Sequence, residues 1–380
     1  MIKIFDLQKT NCKYRENILK NTAKIIKNGK SFLNVEDGYV SKVEAQLERI
    51  YSPTFVQTVG SGSDALEIAL RALEIKAGDY VAVPAMSFIA PVEAVIKVGA
   101  IPLYVDIDIN TGCMDMNKLE DLIKRASKGF LGLFNKIKIK AVIPVYMFGN
   151  IPDIDKLLDL KKKYDFLIIE DVAQALGGSV YIKNPYSVYP ERVHRFLGTI
   201  GDVGCISFMP TKNIGSFGDG GALFIDCFFI DNKVKYIKQH GRKLTSIQDS
   251  KFIGLNSRLD EIQASVIFEK LKDIENTTDY YNIKNEVTYK KYSNLNKYLR
   301  PELRMNYGNS ISEIDESKNL YNKINNTFVF KYEHRDALIE LLHKAGIEAR
   351  APYNLIIKKQ KAYDYDIHRL NKNDKFENAT

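Results

Sequence analysis

The sequence has few of the residues that usually build metal or disulfide frameworks. Its 380 residues include four cysteines and five histidines. Cys12, Cys113, Cys205 and Cys227 form no CxxC pair, and no histidine stands at a metal-ligand spacing from them. A zinc site is therefore not expected, and reduced thiols are the default for a cytoplasmic protein. No apolar run approaches the roughly 18 residues of a membrane-spanning helix. The opening stretch MIKIFDLQKTNCKYREN lacks the apolar core of an export signal. These absences predict a soluble cytoplasmic protein with no membrane partner. The formal net charge is +8, but the 55 basic residues are scattered among 47 acids. No basic run interleaved with aromatics is present, which argues against nucleic acid. A mild positive balance instead suits a small anionic substrate.

What is present is an ordinary globular composition, 45% hydrophobic and 27% charged, long enough for two or three domains. From about residue 56 to 225 strands and helices alternate. The expected strands are Tyr80–Pro84, Pro102–Asp106, Ala141–Val145, Phe166–Glu170, Gly204–Phe208 and Ala222–Ile225. Between them, Asp64–Leu73 carries apolar residues at helical spacing. Asp153–Tyr164 opens with acid and closes with base, as the helix dipole prefers. This alternation predicts an α/β domain with a mostly parallel central sheet flanked by helices. After Phe228 the rhythm changes. A long amphipathic helix is expected over Arg258–Ile274, then a Tyr/Asn/Lys-rich stretch, a strand over Thr327–Tyr332 and a helix over Arg335–Ala345 stopped by Gly346. This predicts a large domain over residues 1–240 and a smaller α+β domain over 241–380, with a poorly ordered polar tail from Lys358.

Three segments carry chemistry. Gly60-Ser61-Gly62-Ser63-Asp64 leads directly into a helix. Glycines allow close backbone approach, and free N–H groups at a helix start bind phosphate. A plain loop with Ser63 or Asp64 as N-cap is the alternative. Glu170-Asp171 closes an apolar strand, the end at which parallel sheets bind ligands. An acid there can hold a cationic ring nitrogen or a metal, or merely cap the next turn. Lys212 lies in Pro210-Thr211-Lys212-Asn213, between a strand and Gly218-Asp219-Gly220-Gly221. Such a lysine can form a Schiff base, especially when burial lowers its pKa, or can be an ordinary loop residue. In this chain order the three match what pyridoxal phosphate requires: a phosphate cup, a pyridinium partner and an amine for the aldehyde.

On these residues the sequence resembles the DegT-type nucleotide-sugar aminotransferases, enzymes of the PLP-dependent transferase fold type I. Further stretches carry the likeness: Phe5-Asp6-Leu7, the segment Val83 to Ala90, Pro144-Val145-Tyr146-Met147-Phe148-Gly149, and Gly254 to Ala264, read as GLNSRLDEIQA. The resemblance covers roughly residues 1–355. It implies that Lys212 anchors the cofactor and shuttles a proton, and that Asp171 pairs with the ring nitrogen. It places Gln174 near the ring hydroxyl and Phe88 on the ring face, and assigns the phosphate to Gly62, Ser63 and Ser207. Asn256 is expected to reach the phosphate in a partner subunit, which implies a homodimer with shared sites; Arg258 is read as structural or functional with equal weight.

The implied activity is transfer of an amino group, from glutamate, to a nucleotide-linked keto sugar in surface-glycan biosynthesis. Related dehydratases carry histidine in place of the lysine, so Lys212 favours transamination over dehydration, with a PLP-dependent sugar dehydratase or epimerase as an alternative reaction type. The loop Pro210-Thr211-Lys212-Asn213 with Gly218-Asp219-Gly220-Gly221 looks more like members acting at a 3-keto position. Three departures stand out. Residues 178–198 are longer than the usual loop, and Ala351-Pro352-Tyr353 lacks the family's histidine. The sequence also stops at Thr380 where relatives usually continue, so a catalytically impaired or regulatory homologue is the rival expectation.

Overall fold

Short runs of β-branched and aliphatic residues form the strands, and their burial follows the layers they enter. In the computed structural model, residues 1–29, 38–128, 137–184, 191–242 and 249–275 are described, with parts of 321–376. Seven strands make the main sheet: β1 (Phe55–Val59), β2 (Tyr80–Pro84), β3 (Ile101–Val105), β4 (Ile139–Val142), β5 (Leu167–Asp171), β8 (Val203–Ser207) and β9 (Gly221–Ile225). Their order is β1-β9-β8-β5-β4-β2-β3. Pairing is parallel from β3 through β8 and antiparallel on both sides of β9. The expected α/β architecture with a mostly parallel sheet is present; β2 has the expected bounds, β3, β5 and β8 shift by one residue, β9 begins one residue earlier, and β4 begins two and ends three residues earlier than expected. All five residues of β8 and of β9 are buried, as befits strands covered on both faces.

Helices cover the two faces. On one side lie α4 (Gly62–Ala72), α5 (Ala90–Lys97) and α8 (Phe228–Ile237), packed on Val81, Val83, Ile169, Cys205 and Leu223. On the other lie α6 (Met116–Lys128) and α7 (Ile154–Tyr164), packed on Ala82, Leu103, Val142 and Ile168. Neighbours such as Ile168 and Ile169 therefore serve opposite faces, as the two-residue strand period requires. Helix α7 begins one residue after Asp153, whose carboxylate caps it by accepting from Lys156 N at 3.0 Å.

The helix expected from Arg258 begins later, as α9 (Glu261–Glu275). The residues before it are held extended: Asn256 bridges Gln239, and Ser257 N donates to Lys238 O at 3.1 Å. Helix α9 packs on α3 (Tyr39–Tyr51) and α2 (Arg15–Asn28). Its Glu261 accepts from Tyr39 N at 2.6 Å, and its Glu269 from Asn21 Nδ2 at 2.8 Å.

A second, three-stranded sheet was not anticipated. Within the long segment 178–198, β6 (Ser179–Lys183) pairs antiparallel with β7 (Arg192–Phe196), and β10 (Tyr321–Asn322) joins them in a second sheet. Asp155 at the start of α7 ties this pair of strands down through Arg192 at 2.6 Å and Lys183 N at 3.1 Å. The expected helix near residue 335 is α10 (Arg335–Lys344). Of the expected strand Thr327–Tyr332, residues 328, 330 and 331 lie outside the described residues, and the others are not in a strand. The Tyr/Asn/Lys-rich stretch over 276–320 and most of the tail beyond 363 also lie outside them; residues 357–363 form short 3-10 turns.

Candidate active site

The chemistry-bearing segments meet at the carboxyl ends of β5 and β8. Strand β1 ends at Val59, which pairs with Gly221 of β9, and Ser207 at the end of β8 pairs with the same glycine. The loop Gly60 to Gly62 is thereby laid across the end of β8. The packing is close: a Cβ on Gly62 would stand 2.7 Å from Ser207 Cβ, and one on Gly221 would stand 2.5 Å from Ser61 O. Only glycine permits this approach. The N-cap of α4 is Ser61, not Ser63 or Asp64: its Oγ accepts from Asp64 N at 3.0 Å. Asp64 is instead bonded to Ser257, whose hydroxyl donates to Asp64 Oδ2 at 2.6 Å and accepts from Gly60 N at 2.9 Å. This leaves the first-turn N–H groups of Gly62 and Ser63 without intrahelical acceptors, beside the Ser207 hydroxyl. That is an anion cradle.

The two adjacent acids of β5 have opposite fates. Glu170 is fully buried and accepts four hydrogen bonds, from Tyr146 Oη at 2.5 Å, Gly201 N at 2.7 Å, Ile200 N at 2.8 Å and Gly198 N at 3.0 Å. Burial pushes its pKa up while these donors pull it down. It is saturated and holds the turn that leads into β8.

Asp171 faces the other side, alongside Cys205 in register. It is also buried, yet accepts one hydrogen bond among the described residues, from Ala173 N at 3.1 Å. Burial raises its pKa, and the charge of Lys212 works against that rise. Burial in turn lowers the pKa of Lys212, and the Asp171 charge raises it. A buried carboxylate with one donor retains the capacity to take a cation or a second donor.

Gln174 lies just beyond this pair. Its Oε1 accepts from Phe148 N at 2.8 Å and its Nε2 donates to Tyr353 Oη at 3.1 Å. Phe88 leaves 56% of its surface exposed, so its ring is accessible. Asn213, next to Lys212, buries its Nδ2 without a hydrogen-bond partner among the described residues. Its Oδ1 accepts from Asn326 Nδ2 at 3.3 Å, and the same group donates to Thr211 O at 3.4 Å. Asn326 thus braces the lysine loop from far along the chain.

Lys212, Asp171 and Gln174 are brought together, and Gly62, Ser63 and Ser207 form the cradle. Asn256 is not joined to them: it is exposed and its side chain makes no bond to these residues within the chain. The structure adds Ser257, Asn326 and Tyr353, to which sequence reasoning assigned no role. Only Ser257 and Tyr353 lay in segments already singled out. A cavity of about 440 Å³ between β3 and α6, lined by Asp106, Lys118, Asp121 and Arg125, shares none of these residues. Among the described residues, no group of acids, histidines and cysteines could hold a metal, and no helix is long and apolar enough to cross a membrane.

Pyridoxal 5'-phosphate fits this donor set. Its phosphate matches the cradle of free N–H groups, its ring nitrogen the under-satisfied Asp171, its aldehyde the buried amine of Lys212, and its ring face the bare Phe88.

Comparison with known proteins agrees. The chain is 35% identical over 266 residues to the UDP-N-acetyl-3-dehydro-alpha-D-glucosamine 3-aminotransferase of Acidithiobacillus ferrooxidans, covering 70% of this chain and 64% of that protein. It thus spans just under two thirds of that relative's length. It is 27% identical over 384 residues to the UDP-2-acetamido-2-deoxy-3-oxo-D-glucuronate aminotransferase of Pseudomonas aeruginosa, covering 99% of this chain and 92% of that one. The structure matches a DegT DnrJ EryC1 StrS aminotransferase from Brucella abortus with a TM-score of 0.81 at 26% identity, over 96% of this chain and 88% of that one. The family model for these enzymes, which are PLP-dependent sugar aminotransferases of fold type I, matches residues 13–380. With the lysine, the buried acid and the anion cradle meeting at one end of its sheet, the chain belongs to the DegT/DnrJ/EryC1/StrS aminotransferase family.

Proposed function

We propose that the protein moves an amino group from glutamate to the 3-keto carbon of a nucleotide-linked sugar, with a uridine or deoxythymidine diphosphate handle. The observation that carries the reading is the unequal treatment of two neighbouring acids. Glu170 is saturated by four donors, whereas Asp171 is buried with one donor and faces Lys212. A fold that only needed a buried carboxylate would satisfy both. The two relatives named above, whose names specify 3-dehydro and 3-oxo sugars on UDP, support the choice of carbon and nucleotide.

Bound in this pocket, the cofactor supplies an aldehyde to carry nitrogen and a ring to accept electrons. The rest is work for the chain. Lys212 Nζ holds the cofactor and then takes a proton from one carbon and returns it to another. Its lowered pKa keeps a larger neutral fraction than an exposed lysine has. Asp171 keeps the ring nitrogen positive. The Gly62 and Ser63 N–H groups and the Ser207 hydroxyl fix the phosphate, and Phe88 covers the ring. Retention of a lysine at position 212 favours transamination over dehydration. Residues 1–240 would form the cofactor domain and 241–380 the smaller one that meets the sugar.

The direct test is incubation with glutamate and UDP- or dTDP-linked 3-keto sugars. NMR of the product is expected to place the new amine at C3. Clean conversion of 4-keto sugars with 3-keto sugars untouched would overturn the assignment.

The pocket is further proposed to be completed by a second copy of the chain through Asn256. Its exposure beside a backbone held by Ser257 supports this. Mixing inactive Lys212→Ala chains with inactive Asn256→Ala chains is expected to restore activity, because one site in each mixed dimer is then intact. A fully active monomer would contradict it.

A further inference from the structure

Gln174 is held at both ends of its amide. A backbone N–H can only donate, so the atom facing Phe148 N at 2.8 Å is the amide oxygen. Both amide hydrogens therefore lie on the opposite side. One goes to Tyr353 Oη at 3.1 Å. The other faces Met147 Sδ at 3.8 Å, a weak acceptor that a better one readily replaces.

The holders are themselves in unusual conformations. Phe148 and Tyr353 both have φ of +59°, a region costly for bulky side chains. Their rings pack with centroids 6.2 Å apart. Two aromatic residues kept left-handed against one glutamine, from segments some 200 residues apart, are maintained against local preference. Tyr353 also lies close enough to Asp171 to feel its charge, so it borders the pocket rather than the outer surface.

We propose that Tyr353 is a positioning residue: it fixes the Gln174 amide so that the second N–H, now on sulfur, points at the ring hydroxyl oxygen of the bound cofactor. The inference rests on the reading of Gln174 as the partner of that oxygen and extends it to a residue of the C-terminal segment. The Tyr353 hydroxyl accepts from Gln174 and keeps its own proton, so phenylalanine removes the acceptor while retaining ring packing on Phe148.

Titration of the apoprotein with pyridoxamine 5'-phosphate, and with the analogue lacking the ring hydroxyl, tests this without turnover. Tyr353→Phe is expected to weaken the normal cofactor roughly three- to tenfold, the usual yield of one hydrogen bond. Binding of the 3-deoxy analogue is expected to be unchanged. Gln174→Ala should show the same pattern, and the double variant should bind no worse than Gln174→Ala alone. Equal weakening for both ligands would make Tyr353 a packing residue only and overturn the proposal, as would no weakening for either. If the unaltered protein bound neither ligand, the cofactor reading itself would fall, and the inference with it.

Discussion

Replacing Lys212 with alanine is expected to lower kcat by about 10⁴-fold, because the general acid–base and the covalent anchor are lost together. In the unaltered protein, borohydride should fix the cofactor to the peptide containing Lys212. Labelling of another lysine would overturn the assignment. The pH dependence of cofactor capture by the apoprotein gives an independent check. Burial lowers the Lys212 pKa, with the Asp171 charge opposing. The amine therefore loses its proton at lower pH than an exposed lysine. The capture rate should rise with pH and level off before the range in which ordinary lysines deprotonate. A plateau reached only in that ordinary range would show that the amine is not desolvated in the free protein.

The second large effect is on stability. Glu170→Leu is expected to destabilise the fold by about 3–5 kcal/mol, at the severe end for a single substitution. The change strands Tyr146 Oη and the N–H groups of Gly198, Ile200 and Gly201, all of which donate to this carboxylate. Each unsatisfied buried donor costs roughly 1–3 kcal/mol, reduced where the turn can relax or admit water. Glu170→Gln keeps one acceptor oxygen and should cost about 1–3 kcal/mol. Denaturant unfolding of the apoprotein measures both. Equal, small losses would show that the turn before β8 does not depend on Glu170. Asp171→Asn should by contrast leave apoprotein stability nearly unchanged, since Asp171 accepts from Ala173 N alone among the described residues.

The pair Glu170 and Asp171 shows how far the sequence could be read. Both acids stand at the end of an apolar run, and the sheet's habit of binding ligands at carboxyl ends marks the place. The strand pattern alone leaves open which acid faces the pocket, and only the family resemblance pointed to Asp171. The choice depends on the phase of the strand, fixed by which face packs against α4 and which against α7. Likewise Gly60 to Asp64 reads as a phosphate loop, but its N-cap falls on Ser61 because Asp64 is drawn away by Ser257, which lies 193 residues along the chain. The extra length of 178–198 is visible as a departure. Its form as a pair of antiparallel strands depends on Asp155 and on pairing with β10.

The sequence by itself determined the alternation of strands and helices and the order of the three chemical segments, and it singled out Lys212 as the candidate amine. These rest on local patterns: side-chain period, helix-end signals and glycine placement. Tertiary structure alone decided that Glu170 is structural and Asp171 left under-satisfied, and that Asn326 braces the lysine loop and Tyr353 holds Gln174. The physical reason is the same in each case. A hydrogen bond between distant segments leaves no periodic trace in either one, because only the packed sheet and the returning C-terminal segment bring donor and acceptor within 3.5 Å.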